Sequence, residues 1–369
     1  MSVSTLIEPV EGPFVWRGDE LSRSQDWLYR LSADEIAELE AVGRRFVADD
    51  PDLRTVSADD YPLPVCAEAL ARFAADLDRG RGFVLVRGLP IERYGDTLAG
   101  AIFYLMGLHL GEPIQQNELG DVIDHIMATS DKTWDDPDSL PSRIRDALPF
   151  HSDSSDVVGL LCLRPARAGG ASRLVSGATL FNEVVRRRPD LAGLLREPWY
   201  WAWRRQDPQA PADWYTSPIV SWTEGVFSMY AGSTMIEAAQ AYPDVPRLTD
   251  AQREVLALLD EIAQEPGVAL DMDFQPGDIQ WLLNYAALHS RTEFVDHPEV
   301  SRRRHLLRLW LRRDVGRPLV PNFGKHQALD RRSVRSSGAA GGGAGSAARN
   351  DQGKFRIAEA VRPRMDWGA

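Results

Sequence analysis

Phe150-His151-Ser152-Asp153 and, far along the chain, Asn284-Tyr285-Ala286-Ala287-Leu288-His289-Ser290-Arg291-Thr292 are the stretches on which the reading of this protein turns. Side chains at i and i+2 of a β-strand share a face, so on a strand His151 and Asp153 offer an imidazole and a carboxylate to one metal ion. His289 supplies a third donor, and the long interval lets several strands pass before a sheet returns to it. Two histidines and a carboxylate on one face of an octahedral ion leave its other positions open, which suits non-haem Fe(II) and dioxygen chemistry. Taken alone the triplet is weak, because Ser152, Asp153, Ser154 and Ser155 also suit an N-cap or a turn.

The run Arg302-Arg303-Arg304-His305-Leu306-Leu307-Arg308-Leu309-Trp310-Leu311 carries a second signal. From Arg304 onward it alternates, with Arg304, Leu306, Arg308 and Trp310 on one face and His305, Leu307, Leu309 and Leu311 on the other, so it reads as a strand. An arginine turned inward among apolar neighbours is costly without an anion beside it. Guanidinium forks grip carboxylates in a bidentate plane, which makes a dicarboxylic cosubstrate a natural candidate. The plainer alternative is a solvated charge run, with Arg308 paired to an Asp or Glu.

Four pieces in order, Phe150-His151-Ser152-Asp153, Gly169-Gly170-Ala171-Ser172, Asn284 to Arg291 and Arg304-His305-Leu306-Leu307-Arg308, resemble the taurine dioxygenase-like (TauD/TfdA) branch of the Fe(II)/2-oxoglutarate dioxygenases. The similarity runs from roughly Gly82 to Leu311, and the chain also resembles the clavaminate-synthase-like enzymes. The resemblance implies a double-stranded β-helix, or jelly roll, with Fe(II) as metal and 2-oxoglutarate as cosubstrate. By it, His151, Asp153 and His289 match the iron ligands. Arg304 matches the arginine that holds the distal carboxylate of 2-oxoglutarate, and Ser172 falls where relatives carry a hydroxyl for the same carboxylate. Arg308 matches a second arginine near cosubstrate and substrate anion. The interval from His289 to Arg304 is a few residues longer than in the shortest relatives, which leaves Arg302 and Arg303 as alternative anchors. Halide-transferring relatives have a small residue in place of the acid, so Asp153 argues against a halogenase. The implied reaction hydroxylates an unactivated C–H bond of a small molecule, an amino acid or natural-product intermediate, and releases succinate and CO₂. Desaturation, epoxidation or ring formation would use the same residues.

The chain has 369 residues and a net charge of −12, with a pI near 5.1. That balance disfavours a nucleic-acid or membrane-surface partner. Cys66 and Cys162 are its two cysteines, and a reducing cytoplasm is the default expectation. No run approaches the roughly 20 apolar residues that span a bilayer.

The expected class is α+β, a jelly-roll core with flanking helices. Residues 1–80 read as an arm and helices packed on the core, 81–315 as the core with a helical insert near 248–264, 336–350 as a flexible Gly/Ala/Ser linker and 351–369 as a tail, docked or loose. Ser32 to Glu35 has capping-box spacing ahead of Ile36, Leu39, Val42 and Phe46 at helical intervals, and Thr249 to Gln252 repeats that signature. Further helices are expected over 65–77 and 96–110. Strands are expected at 83–86, 122–128, 157–163, 173–176, 217–222, 226–230, 268–274, 279–285 and 304–311.

Trp199-Tyr200-Trp201-Ala202-Trp203-Arg204-Arg205 reads either as a wall for a bulky substrate or as strand packing, and Gln115 to Trp134 is a second candidate for substrate contact. Asp156 or Arg308 could orient a charged substrate. His125, His297, His305 and His326 read as structural or surface residues. Two other classes stay open: a non-catalytic metal-binding jelly-roll sensor, which has no use for the anion clasp, and a Zn(II) hydrolase, which lacks an obvious general base. Oligomeric state is left open.

Overall fold

The computed structural model describes residues 8–116, 120–129, 131–133, 141–203, 212–313, 317–321, 323–324 and 355–363. Arg204, Arg205, His326 and the linker expected at 336–350 lie outside them, as do parts of the 115–134 and 351–369 segments.

Local sequence writes the outer helices. The Ser32 hydroxyl accepts the Glu35 N–H while the Glu35 carboxylate accepts the Ser32 N–H, and the helix Ala33–Asp49 follows, burying Leu39 and Phe46. Thr249 and Gln252 close the same box ahead of Asp250–Gln264. Ala67–Arg79 buries Leu70, Phe73 and Leu77. Asp96–Leu110 is buried on nearly every side, since it lies between Ala33–Asp49 and the strands Val157–Arg164 and His305–Arg312. Small residues permit this closeness. A methyl at Gly107 would strike Leu309, and one at Gly159 would strike the Trp281 ring.

Two sheets enclose the inner core. The larger runs Leu28–Arg30, Phe83–Arg87, Ile279–Leu283, Val157–Arg164, His305–Arg312, Glu112–Ile114, with Ile123–Ile126 also paired to His305–Arg312. The smaller runs Leu270–Met272, Ser172–Ser176, Ala287–Arg291, Leu148–His151. Leu160, Cys162, Leu282, Leu306 and Trp310 of the first meet Leu174, Leu270, Met272 and Ala287 of the second in one cluster. A separate and larger cluster lies under the helices and takes the opposite faces, through Leu161, Trp281, Leu307 and Leu309. The fold is an α+β double-stranded β-helix, as expected, and Leu306 and Trp310 face inward as the alternation required.

One local expectation changes, and two segments gain detail. Residues 217–222 are not one strand: Trp214–Ser217 pairs with Trp199–Ala202, and Val220–Thr223 pairs with Val226–Met229, the break falling at Pro218, whose ring removes a ladder donor. Directly after Asp96–Leu110 comes the short strand Glu112–Ile114, with Pro113 opposite Leu311 at the sheet's end, where a missing N–H is tolerated. The N-terminal arm is built in by a short helix, Gly18–Leu21, and by Leu28–Arg30, parallel to Phe83–Arg87. The Trp16 indole N–H anchors it by donating to the Arg81 carbonyl at 2.9 Å.

Candidate active site

Leu148–His151 and Ala287–Arg291 pair antiparallel in a register that sets His151 directly opposite His289. Directly opposed residues share one face of a sheet, so both imidazoles project from the same side, with ring centroids 4.3 Å apart. Asp153 arrives differently from the i, i+2 strand geometry expected of it. The strand ends at His151, and Asp153 sits in the turn that follows, so hydrogen bonds place it where strand alternation does not. The Ser152 N–H donates to the Ala231 carbonyl at 2.8 Å, and the Ser152 hydroxyl donates to the Asn284 carbonyl at 2.9 Å. The Asp153 N–H donates to Asn284 Oδ1 at 3.0 Å, and Asn284 Nδ2 donates to the Ser155 carbonyl at 2.9 Å. Asn284 is fully buried and ties the turn to the strand that carries His289.

The Asp153 carboxylate faces both rings. Its oxygens lie 4.0 Å from His151 Nε2 and 3.8 Å from His289 Nε2, and one donor atom from each of the three residues falls within 4.8 Å of the others. Trp310 Nε1–H donates to Asp153 Oδ2 at 2.9 Å, and Arg308 Nη1 approaches both oxygens at 3.4 Å. Burial by itself would raise Asp153, but Arg308, the two imidazoles and the indole outweigh it and hold the carboxyl at about 2. Burial, with His151 beside it, lowers His289 to about 3. His151 Nδ1 lies 2.8 Å from the Pro149 carbonyl, which can only accept, so that nitrogen carries the proton and Nε2 is left with a lone pair. An ionised carboxylate, a His289 that burial keeps neutral and a His151 whose Nδ1 is taken by the Pro149 carbonyl, leaving Nε2 to the site, are what a divalent metal requires, so these residues fit the iron that the sequence led us to expect.

A second group of polar atoms lies in the same interior. Arg304 is buried against Gly170, which has φ +74° and no side chain to block the guanidinium, and stacks on Phe294 at 5.2 Å. Burial lowers it to about 10, and its Nη1 has no partner among the described residues. Ser172 is also buried, and its hydroxyl donates to Gln280 Oε1 at 3.1 Å. Arg302 and Arg303, the alternative anchors, precede the strand, whereas Arg304 adjoins its first residue, His305. Arg308 is already engaged: it donates to Gln116 Oε1 at 2.8 Å and pairs with Asp124 at 3.1 Å as well as with Asp153.

Other expected contacts resolve into structure. The Asp156 carboxylate accepts the Arg313 N–H at 2.8 Å, which accounts for its burial. Trp199, Trp201 and Trp203 are core residues, with Trp203 against Tyr215 at 4.5 Å and Trp201 against Tyr230 at 5.1 Å, as the packing alternative held. His125 and His305 form a buried pair, Nδ1 to Nε2, at 2.8 Å. Residues not foreseen in this role are Asn284, Trp310, Gln280 and Arg291. Trp310 was detectable, since it shares the inward face of Arg308. Arg291 follows His289 at i+2, its Nη2 donates to the Ile144 carbonyl at 2.9 Å, and burial lowers it to about 9.

The family model described as "Taurine catabolism dioxygenase TauD, TfdA family" matches residues 50–310. FR-33289 synthase of Streptomyces rubellomurinus is 26% identical over 88% of this chain and 96% of its own length. A taurine hydroxylase-like protein of Stachybotrys chartarum is 28% identical over 80% of this chain and 77% of its own. Among solved structures, asparagine oxygenase in complex with Fe(II), 3-hydroxyasparagine and succinate aligns with a TM-score of 0.59 at 18% identity, over 77% of this chain and 93% of that one. The non-heme iron oxygenase OrfP in complex with Fe and alpha-ketoglutaric acid aligns at 0.58 with 16% identity, over 78% and 94%. This chain therefore belongs to the TauD/TfdA dioxygenase family and is an Fe(II)/2-oxoglutarate-dependent oxygenase.

Proposed function

We propose that the protein hydroxylates an unactivated C–H bond of a small molecule, an amino acid or natural-product intermediate, with His151, Asp153 and His289 holding iron and Arg304 gripping the distal carboxylate of 2-oxoglutarate. The register that opposes His151 to His289, with Asp153 turned between them, carries this reading. Iron, when bound, supplies the oxidative decarboxylation of 2-oxoglutarate by dioxygen to succinate and CO₂ and the oxidising power for C–H cleavage. The rest is positioning by the protein. The Pro149 carbonyl fixes the His151 tautomer, Trp310 and Arg308 hold the Asp153 carboxylate ionised and aimed, and the apolar walls between the sheets exclude water. Arg304, buried with an unanswered donor, is the natural partner of a carboxylate.

The substrate class is supported by the hydroxylated amino acids held in complex by two fold neighbours, 3-hydroxyasparagine in one and (3S)-hydroxy-L-Arg in another. A synthase among the sequence relatives favours a natural-product setting. Desaturation, epoxidation and ring formation would use the same residues and are separated by product analysis. Cys66 and Cys162 are buried free thiols, and we place the protein in a reducing cytoplasm.

The deciding assay is iron-dependent succinate formation from 2-oxoglutarate in air, with amino acids and their derivatives screened for stimulation. Asp153→Ala and His289→Ala are expected to fall below about 1% of the wild-type rate, because a metal left with two protein ligands is bound weakly and wrongly oriented. Full turnover by Asp153→Ala with added iron would overturn the ligand assignment.

A further inference from the structure

We infer that Gln280 is the direct hydrogen-bond donor to the distal carboxylate of 2-oxoglutarate, and that Ser172 acts through it by fixing its amide. The inference rests on the proposed placement of the cosubstrate beside Arg304.

Gln280 belongs to the strand Ile279–Leu283, and its neighbour at i+2, Leu282, lies in the cluster between the sheets. A glutamine at such a position is unusual unless its amide is used. It is completely buried; Oε1 accepts the Ser172 hydroxyl at 3.1 Å, and Nε2 has no partner among the described residues. A buried amide donor left unmet is destabilising, so this one calls for an acceptor that binds from outside.

The same end of the interior holds Arg304. Its guanidinium runs past Gly170, two residues before Ser172 in the chain, and the strand that Arg304 leads into sets Leu306 opposite Cys162. The Cys162 N–H in turn donates to the Asp278 carbonyl at 2.9 Å, two residues before Gln280. Among the described residues Arg304 Nη1 and Gln280 Nε2 are thus two unanswered donors, held against Gly170 and Ser172 of one short stretch, and no carboxylate forms an ion pair with either side chain, Asp296 acting on the guanidinium only from further away. A dianionic cosubstrate that reached them would satisfy both. In this arrangement the one proton of the Ser172 hydroxyl goes to Gln280 Oε1, which leaves Gln280 Nε2 as the donor free to meet a ligand. The serine's hydrogen bond selects which end of the amide faces the ligand.

The test is equilibrium binding of 2-oxoglutarate, measured calorimetrically without oxygen on protein loaded with Fe(II) or Mn(II), for Gln280→Leu, Ser172→Ala, the double variant and Arg304→Met. Thermal melting of each confirms that it is folded. Gln280→Leu is expected to weaken binding about tenfold or more. Ser172→Ala should cost less, and the double variant no more than Gln280→Leu alone, because the serine has no separate contact. Gln280→Glu, which sets a carboxylate against the ligand's own, should weaken binding further still. Wild-type affinity in folded Gln280→Leu, or a larger loss in Ser172→Ala than in Gln280→Leu, overturns the inference. If Arg304→Met loses affinity while Gln280→Leu keeps it, the failure belongs to Gln280 alone. If Arg304→Met also binds normally, the placement of the cosubstrate is wrong and the inference falls with it.

Discussion

At the scale of single residues, the candidate centre depends on groups that are not ligands. Asp153 lies two residues past the end of a strand, a position where a carboxylate would ordinarily swing into several rotamers. The Trp310 indole N–H at 2.9 Å, Arg308 and the Asn284 clamp on its backbone confine it instead. Removing one such contact leaves the ligands in place but less ordered. Trp310→Phe keeps the ring's bulk and deletes the donor, so it is expected to weaken divalent-metal affinity by about tenfold, within the range seen for partners of metal ligands. Anaerobic titration of the metal-free protein with Fe(II) or Mn(II) measures this, and an unchanged dissociation constant would remove Trp310 from the site's support. The grouping of His151, Asp153 and His289 was legible from their spacing and types, and Arg304 was singled out by the family resemblance. Asn284, Trp310 and Gln280 were not, because a buried amide or indole has no sequence pattern of its own. Each acquires meaning only when its partner on a distant strand is known.

At the scale of elements, capping boxes and apolar periodicity foretold the helices Ala33–Asp49 and Asp250–Gln264 closely. Strand limits were less legible near prolines and at the metal motif, where side chain to backbone hydrogen bonds compete with the ladder. The contact between the helix Asp96–Leu110 and the main sheet depends on small residues on both sides. Gly159, on Val157–Arg164, pairs with Trp281 and Leu309, and the space above it is filled by the rings of Trp281 and Phe103, stacked 5.2 Å apart. Gly159→Ala is expected to destabilise the fold by about 1–3 kcal/mol, the usual cost of overpacking a full core. Urea denaturation measures this, and a midpoint equal to wild type would show that the layer yields without cost.

At the scale of the whole molecule, the C-terminal segment and a buried histidine pair join distant parts of the chain. Residues left undecided between docked and loose prove docked over 355–363: Ile357 and Val361 are buried, the Phe355 carbonyl accepts the Leu53 N–H at 2.9 Å, and Arg54 lies over the Phe355 ring. Ile357→Ala should therefore cost about 2–4 kcal/mol in a denaturation experiment, where a loose tail would cost nothing. The same segment ends a relay of hydrogen bonds. Arg164 Nη2 can only donate, so His305 Nδ1 accepts from it at 2.6 Å. His305 Nε2 then donates to His125 Nδ1, and His125 Nε2 donates to the Ala360 carbonyl at 3.0 Å. A second proton on His305 would face the guanidinium, and burial, followed by His125 and Arg164, lowers it from 6.5 to about 2. The unfolded chain binds this proton below 6.5 and the folded chain does not. The contribution is thus complete above pH 6.5 and is lost progressively as pH falls toward 2, at up to about 1.4 kcal/mol per pH unit. Melting temperatures of wild type and His305→Gln between pH 7.5 and 5 are expected to converge on acidification; a constant difference would rule out the linkage.

What the sequence determined by itself was the chemistry: the ligand types, the inward arginines, the helices and the alternating strands are all set by residue identity and short-range period. Tertiary structure alone decided the aim of those groups. The opposition of His151 to His289 is a matter of strand register, the direction of the Asp153 carboxylate is a matter of donors brought from the strand His305–Arg312 while Asn284 Oδ1 accepts its backbone N–H, and the unmet amide of Gln280 exists only because a second sheet closes over it. Register and closure arise from packing over the whole chain, which is why no local stretch of residues could announce them.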